Sequence, residues 1–221
     1  MGEWNKDSDL ETVNYFVDKL NKLRKKLLDS GVGVIGQNLF NDDLYFISSI
    51  AKLVDVLDGF RLMFESRNLV CIASLLRIQM DILMRVYAAY IAEDRDLFLV
   101  AIQTGELKIN KLKDKKGRKM LDGYLKDLIT KDLDENFTDI YDKCSGFIHH
   151  SDKSFTTSLR AKEDFVIEFR IGIPLDKDYD RLIFEVADAF IHYTGLIINL
   201  IQPVIDSKKR VDVKLQNNDN C

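Results

Sequence analysis

The stretch Asn68-Leu-Val-Cys-Ile-Ala-Ser-Leu-Leu-Arg-Ile-Gln-Met-Asp-Ile-Leu-Met-Arg-Val-Tyr-Ala-Ala-Tyr-Ile-Ala92 decides the fold. Leu69, Val70, Ile72, Leu75, Leu76, Ile78, Met80, Ile82, Leu83 and Val86 surround most of the circumference of a helix with 3.6 residues per turn. A helix that is apolar all round needs neighbours all round, so this segment predicts a helical bundle with itself at the centre. Its few charges, Arg77, Asp81 and Arg85, are four apart and share one face. They form either two intrahelical ion pairs in water or a polar seam against another helix, where burial obliges each charge to find a partner.

Upstream, Ser8 or Asp9 reads as the cap of a helix that places Leu10, Val13, Phe16, Val17, Leu20, Leu23 and Leu27 on one side and lysines on the other. Ser30-Gly-Val-Gly-Val-Ile-Gly36 then reads as a connector. Its Gly-x-Gly-x-x-Gly spacing lacks the preceding strand that a dinucleotide loop requires. A second helix, capped by Asn41 or Asp42, turns Leu44, Ile47, Ile50, Ala51, Val54, Leu57 and Phe60 inward. Downstream, residues 95–106 and 120–129 carry two further helical patterns on either side of the basic run Lys108 to Lys119.

Beyond residue 151 the period changes. Phe165, Ile167, Phe169 and Ile171 alternate with Val166, Glu168 and Arg170, which predicts a β-hairpin over about 155–172. Pro174 ends it, Asp176 or Asp178 starts a last long helix to about Asp206, and 208–221 reads as a mobile polar tail. The expected fold class is mainly α, a helical bundle forming one domain over 1–207, with a small β-hairpin inserted before the last long helix.

Composition narrows the classes. Of 221 residues, 46% are apolar, enough for a full core. The 31% that are charged nearly cancel to −4, so no bulk attraction to nucleic acid or to anionic membrane follows. Cys71, Cys144 and Cys221 are odd in number and show no metal-ligand spacing, the pattern of a reducing, cytoplasmic compartment. The longest uncharged run, Ala189 to Ile205, falls short of the roughly 20 apolar residues that span a bilayer, so it reads as a core helix and no membrane partner is expected.

Chemistry gathers in Phe137-Thr-Asp-Ile-Tyr-Asp-Lys-Cys-Ser-Gly-Phe-Ile-His-His-Ser151. Tyr141, Ser145 and His149 stand four apart and form a ladder on one side of a helix, drifting about 80° in all. His149 therefore either supplies a proton-transfer group or caps the last carbonyls of the helix. A serine-nucleophile reading lacks the sharp turn and oxyanion donors it needs, and neighbouring His149 and His150 do not share a metal easily; no cofactor or metal is expected. A third option is metal-free cleavage of RNA, in which a histidine moves the 2′-hydroxyl proton while Arg77, Arg85 or Lys143 stabilises the charged phosphorane. In the basic run, Lys113, Lys115, Lys116 and Arg118 either contact phosphates or form a solvated loop, with no interleaved aromatic for base stacking.

Leu75 to Tyr87 together with Tyr141 to His149 resembles a family of bacterial helical proteins marked by Arg-x-x-x-Asp/Glu and, downstream, Tyr-x-x-x-Ser-x-x-x-His. A short β segment and a last long helix follow in that family, and the likeness runs from about residue 40 to 205. The group is similar in outline to the HEPN superfamily of antiphage and toxin-type helical proteins. The resemblance implies a defence protein that acts on RNA as a metal-independent endoribonuclease or binds RNA or a nucleotide, working as a homodimer or with another defence protein. It implies His149, Arg77, Ser145 and Tyr141 as site residues supported by Asp81, Arg85 and Lys143. Where HEPN nucleases carry arginine ahead of the histidine, Lys143 stands here, without the bidentate fork of a guanidinium. Arg77 can take that place only if the two helices are neighbours. A non-catalytic interaction module is the competing expectation.

Overall fold

A computed structural model of the chain describes residues 6–105, 108–148, 159–161, 167–169, 175 and 177–218. Asn68 opens the central helix α3 (Leu69–Ile91), its side-chain oxygen accepting the Cys71 amide at 3.1 Å. The all-round apolar surface is covered as expected: α3 packs against α2 (Asn41–Glu65), α4 (Arg95–Thr104), α5 (Asp122–Asp132), α6 (Phe137–Ile148) and α7 (Asp180–Asn218). The first helix, α1 (Lys6–Ile35), lies outside this group and packs on α2 and α7. The chain is mainly helical, and α1 to α7 share one apolar core.

An aromatic ladder fastens α1, α2 and α7. Phe60 stacks on Phe190 with ring centroids 3.9 Å apart, and Phe16 stacks on Phe184 at 5.5 Å. Arg67, between α2 and α3, adopts a left-handed φ of 57° and grips the start of the last helix. Its Nε donates to the Leu175 carbonyl at 3.0 Å and its Nη2 pairs with buried Asp180.

Several boundaries differ from expectation. Ser8 and Asp9 lie inside α1 and not at its cap. The glycine connector is helical too, through Ile35. Tertiary packing overrides weak propensity there, because a side chain at Gly33 would come within 2.9 Å of Ile205 on α7, so glycine admits the close crossing. Gly36, at φ 53°, ends the helix. The cap of α2 is Phe40, whose N–H donates to the Asp43 carboxylate at 2.6 Å, and not Asn41 or Asp42. In α2 the buried stripe runs through Phe46, Leu53, Val56, Leu57 and Phe60 while Leu44 and Ala51 are exposed, since this helix must satisfy both α1 and α3.

The end of the chain needs the largest correction. The last helix does not stop near Asp206: α7 continues to Asn218. Pro203 gives no N–H to the preceding turn, and in that turn the Tyr90 hydroxyl donates to the Leu200 carbonyl. One turn later Lys208 is buried, ion-paired to buried Asp43, hydrogen-bonded to the Asn38 carbonyl and 4.2 Å from the Phe40 ring centroid. By length and composition Asp180–Arg210 is apolar enough to cross a bilayer, but Ile183, Phe190, Ile197, Ile201 and Ile205 lie in the core. Between α6 and α7, β1 (Leu159–Ala161) and β2 (Ile167–Phe169) pair antiparallel, Leu159 opposite Phe169 and Ala161 opposite Ile167. The rest of the expected hairpin lies outside the described residues.

Candidate functional site

Helices α3 and α6 are neighbours, and their polar ladders meet. Arg77 leaves α3 and lays its guanidinium over the Tyr141 ring, 3.4 Å from the centroid, a cation–π contact. Its Nε donates to the Ser145 hydroxyl at 3.1 Å, its Nη2 donates to the Tyr141 hydroxyl, and its Nη1 pairs with Asp81 one turn along α3. Ser145 in turn donates to the Tyr141 carbonyl at 2.9 Å, and the Tyr141 hydroxyl reaches Asp81 at 3.4 Å. The Arg77 side chain is 16% exposed and that of Asp81 40%, so the pair sits at a margin and not in the deep interior.

Of the two intrahelical pairs expected along α3, only Arg77 with Asp81 forms. Arg85 turns to Asp122 at the start of α5, at 2.7 Å. Lys143 does not join the cluster: it is exposed and paired with Asp139 at 2.6 Å on the same helix, because a two-residue offset from Tyr141 places it on another side of α6. His149 and His150 lie outside the described residues. His192 is not the core histidine its apolar helix suggests; it is half exposed, with Nε2 3.2 Å from Asp134.

Electrostatics limits the roles these groups can take. Burial, reinforced by Asp81, pushes the Tyr141 hydroxyl up to about 12 against the opposing pull of Arg77. Tyr141 therefore stays protonated at neutral pH and serves as a donor. Arg77 brings a guanidinium with five N–H donors. The cluster can thus hold an anion or stabilise growing negative charge, but its described members include no group whose ordinary pKa lies near neutrality. No three His, Cys, Asp or Glu side chains gather to hold a metal ion among the described residues.

The basic run is more ordered than a solvated loop. Asp114 lies buried within it, accepting the amides of Lys116 at 3.0 Å and Arg118 at 2.8 Å and the Tyr124 hydroxyl at 2.7 Å, while Gly117 takes φ 76° to close the turn. Burial alone would raise the Asp114 carboxyl, but the Tyr124 hydroxyl and the two amides outweigh it and hold the pKa below the usual range. Lys113, Lys115, Lys116 and Arg118 are exposed around this core. Backbone bonds from Glu93 to Lys113 and from Lys115 to Ile91 anchor the loop at the far end of α3. That is about 20 Å along the axis from Arg77, so the two sets are not brought together. Asp114→Ala should cost about 1.5–3 kcal/mol locally. Limited trypsin digestion should then cut at Lys115, Lys116 or Arg118 faster than in the parent; an unchanged digestion would show that the loop is held elsewhere.

On the other side of Arg77 a groove of about 820 Å³ opens between α2, α3, α4 and the turn at Ile109–Lys111. Tyr45, Ser49 and Lys52 of α2 line it, with Lys108 and Asn110 of the turn, and none of these was indicated as a site residue by the sequence. The available signal was Ser48-Ser49 and Lys52 interrupting an apolar helix at one-turn spacing. Comparison with protein-family models, with curated proteins and with solved structures finds no match to the chain.

Proposed function

We propose that the protein is a HEPN-like bacterial defence or toxin-type module that binds RNA and cleaves it without metal, using His149 together with the Arg77 cluster. The supporting observation is the meeting of Arg77 with Tyr141 and Ser145 across α3 and α6, one helical turn in sequence before His149. This supplies the guanidinium that Lys143 cannot. In this reading His149 takes the 2′-hydroxyl proton, the freed oxygen attacks phosphorus, and the bond from phosphorus to the 5′-oxygen breaks as that oxygen takes a proton from water. The products are a 2′,3′-cyclic phosphate and a 5′-hydroxyl. Arg77 stabilises the phosphorane, oriented by Tyr141, Ser145 and Asp81; Lys113, Lys115, Lys116 and Arg118 hold phosphates several nucleotides further along the strand. The β-hairpin before the last helix belongs to the same HEPN-like plan. The module works in the cytoplasm as a homodimer or with a second defence protein.

Purified protein incubated with mixed RNA and chelator should cleave it, and His149→Ala should slow cleavage at least about a hundredfold with an unchanged melting temperature. Intact RNA with the parent protein overturns the reading. A second reading, a non-catalytic interaction module, draws support from the way Arg77 spends its donors on Asp81, Tyr141 and Ser145. It expects no turnover in the parent, and loss of stability or assembly in Arg77→Ala.

A further inference from the structure

We infer that the groove between α2, α3 and α4 is a binding site for a nucleoside monophosphate, adjoining the Tyr141 and Ser145 seam through the shared Arg77 and Asp81. Its volume of about 820 Å³ falls within the range of small-molecule sites, roughly 300–1,000 Å³. Of the four cations on its walls, Arg77 and Arg85 are matched by Asp81 and Asp122. Lys52 and Lys108 have no carboxylate partner among the described residues, so the lining carries an excess of positive charge suited to a phosphate dianion.

Two donors are left over in the same lining. The Tyr45 hydroxyl and Arg85 Nη1 are buried and make no hydrogen bond. Tyr45 is almost wholly enclosed, and the neighbouring Ser49 hydroxyl is spent on the Tyr45 carbonyl at 2.9 Å. A buried donor without an acceptor is costly, and a ligand oxygen in the groove would satisfy both. Burial raises the Tyr45 hydroxyl well above its ordinary value despite the Arg85 charge, so it is a proton donor at neutral pH. The other walls are Ile78, Ile82, Ile102 and Ile109, an apolar surface that suits a flat base and adds binding that inorganic phosphate alone does not gain.

This inference does not rest on RNA cleavage: Tyr45 and Lys52 belong to α2, and neither touches Tyr141 or Ser145. Equilibrium dialysis of the full chain tests it, with each of the four ribonucleoside 5′-monophosphates, adenosine and inorganic phosphate as separate probes. At least one monophosphate should be retained at about 1 mM or below, with adenosine and phosphate at least about tenfold weaker. Lys52→Ala should weaken retention about tenfold. Tyr45→Phe should also weaken it, with a melting temperature equal to or above that of the parent, since the variant deletes an unsatisfied hydroxyl and keeps the ring. Failure of every monophosphate to bind, inorganic phosphate binding as tightly, or retention unchanged in either variant would overturn the assignment.

Discussion

Replacing Lys208 with alanine is expected to lower the free energy of unfolding by about 3–5 kcal/mol, a loss that urea titration reads. Lys208 and Asp43 are 3% and 4% exposed, and the ammonium also serves the Asn38 carbonyl. Removing the lysine leaves a carboxylate stranded away from water with only the Phe40 amide to answer it. The loss comes mostly from that stranded charge, so Asp43→Asn combined with Lys208→Met should restore much of it, because the amide still accepts from Phe40 and no net charge remains buried. A midpoint unmoved by Lys208→Ala would mean that the end of α7 is loose and the pair solvated.

Phe60→Ala is expected to cost a similar amount, about 3–5 kcal/mol, by removing the ring at the crossing of α2 and α7. Phe60 is fully buried, stacked 3.9 Å from Phe190 and 6.4 Å from Phe64, so its loss opens a cavity that these two aromatic neighbours are too stiff to fill. Phe60→Leu should recover part of the loss. Thermal unfolding followed by circular dichroism reads both, and a drop below about 1 kcal/mol for alanine would show that the ladder repacks.

How legible these features were in the sequence depends on the range of the force involved. The central role of 68–92 could be read directly, because an apolar circumference has one physical outcome. The meeting of Arg77 with Tyr141 and Ser145 could be framed as an alternative but not decided, since intrahelical spacing says nothing of which helix lies opposite. Arg85 illustrates the limit: its spacing to Asp81 is ideal, yet it prefers Asp122, 37 positions away. Gly31 and Gly33 misled because propensity is local, whereas the crossing with Ile205 that favours helix there is not. Lys208 misled for the same reason: a lysine in a polar run looks solvated until its distant acid is known. The groove was invisible because its walls come from four separate segments.

The packing of α1 on α7, with Gly33 against Ile205, bears on the order in which the chain folds. Closing that contact brings together positions 172 residues apart in the numbering, a loop whose entropy is lost only once the ends meet. Adjacent pairs such as α2 with α3 and α5 with α6 form across short turns and need no such search. On this ground the seam between the first and last helices is expected to close after the pairs joined by short turns, α1 with α2 among them.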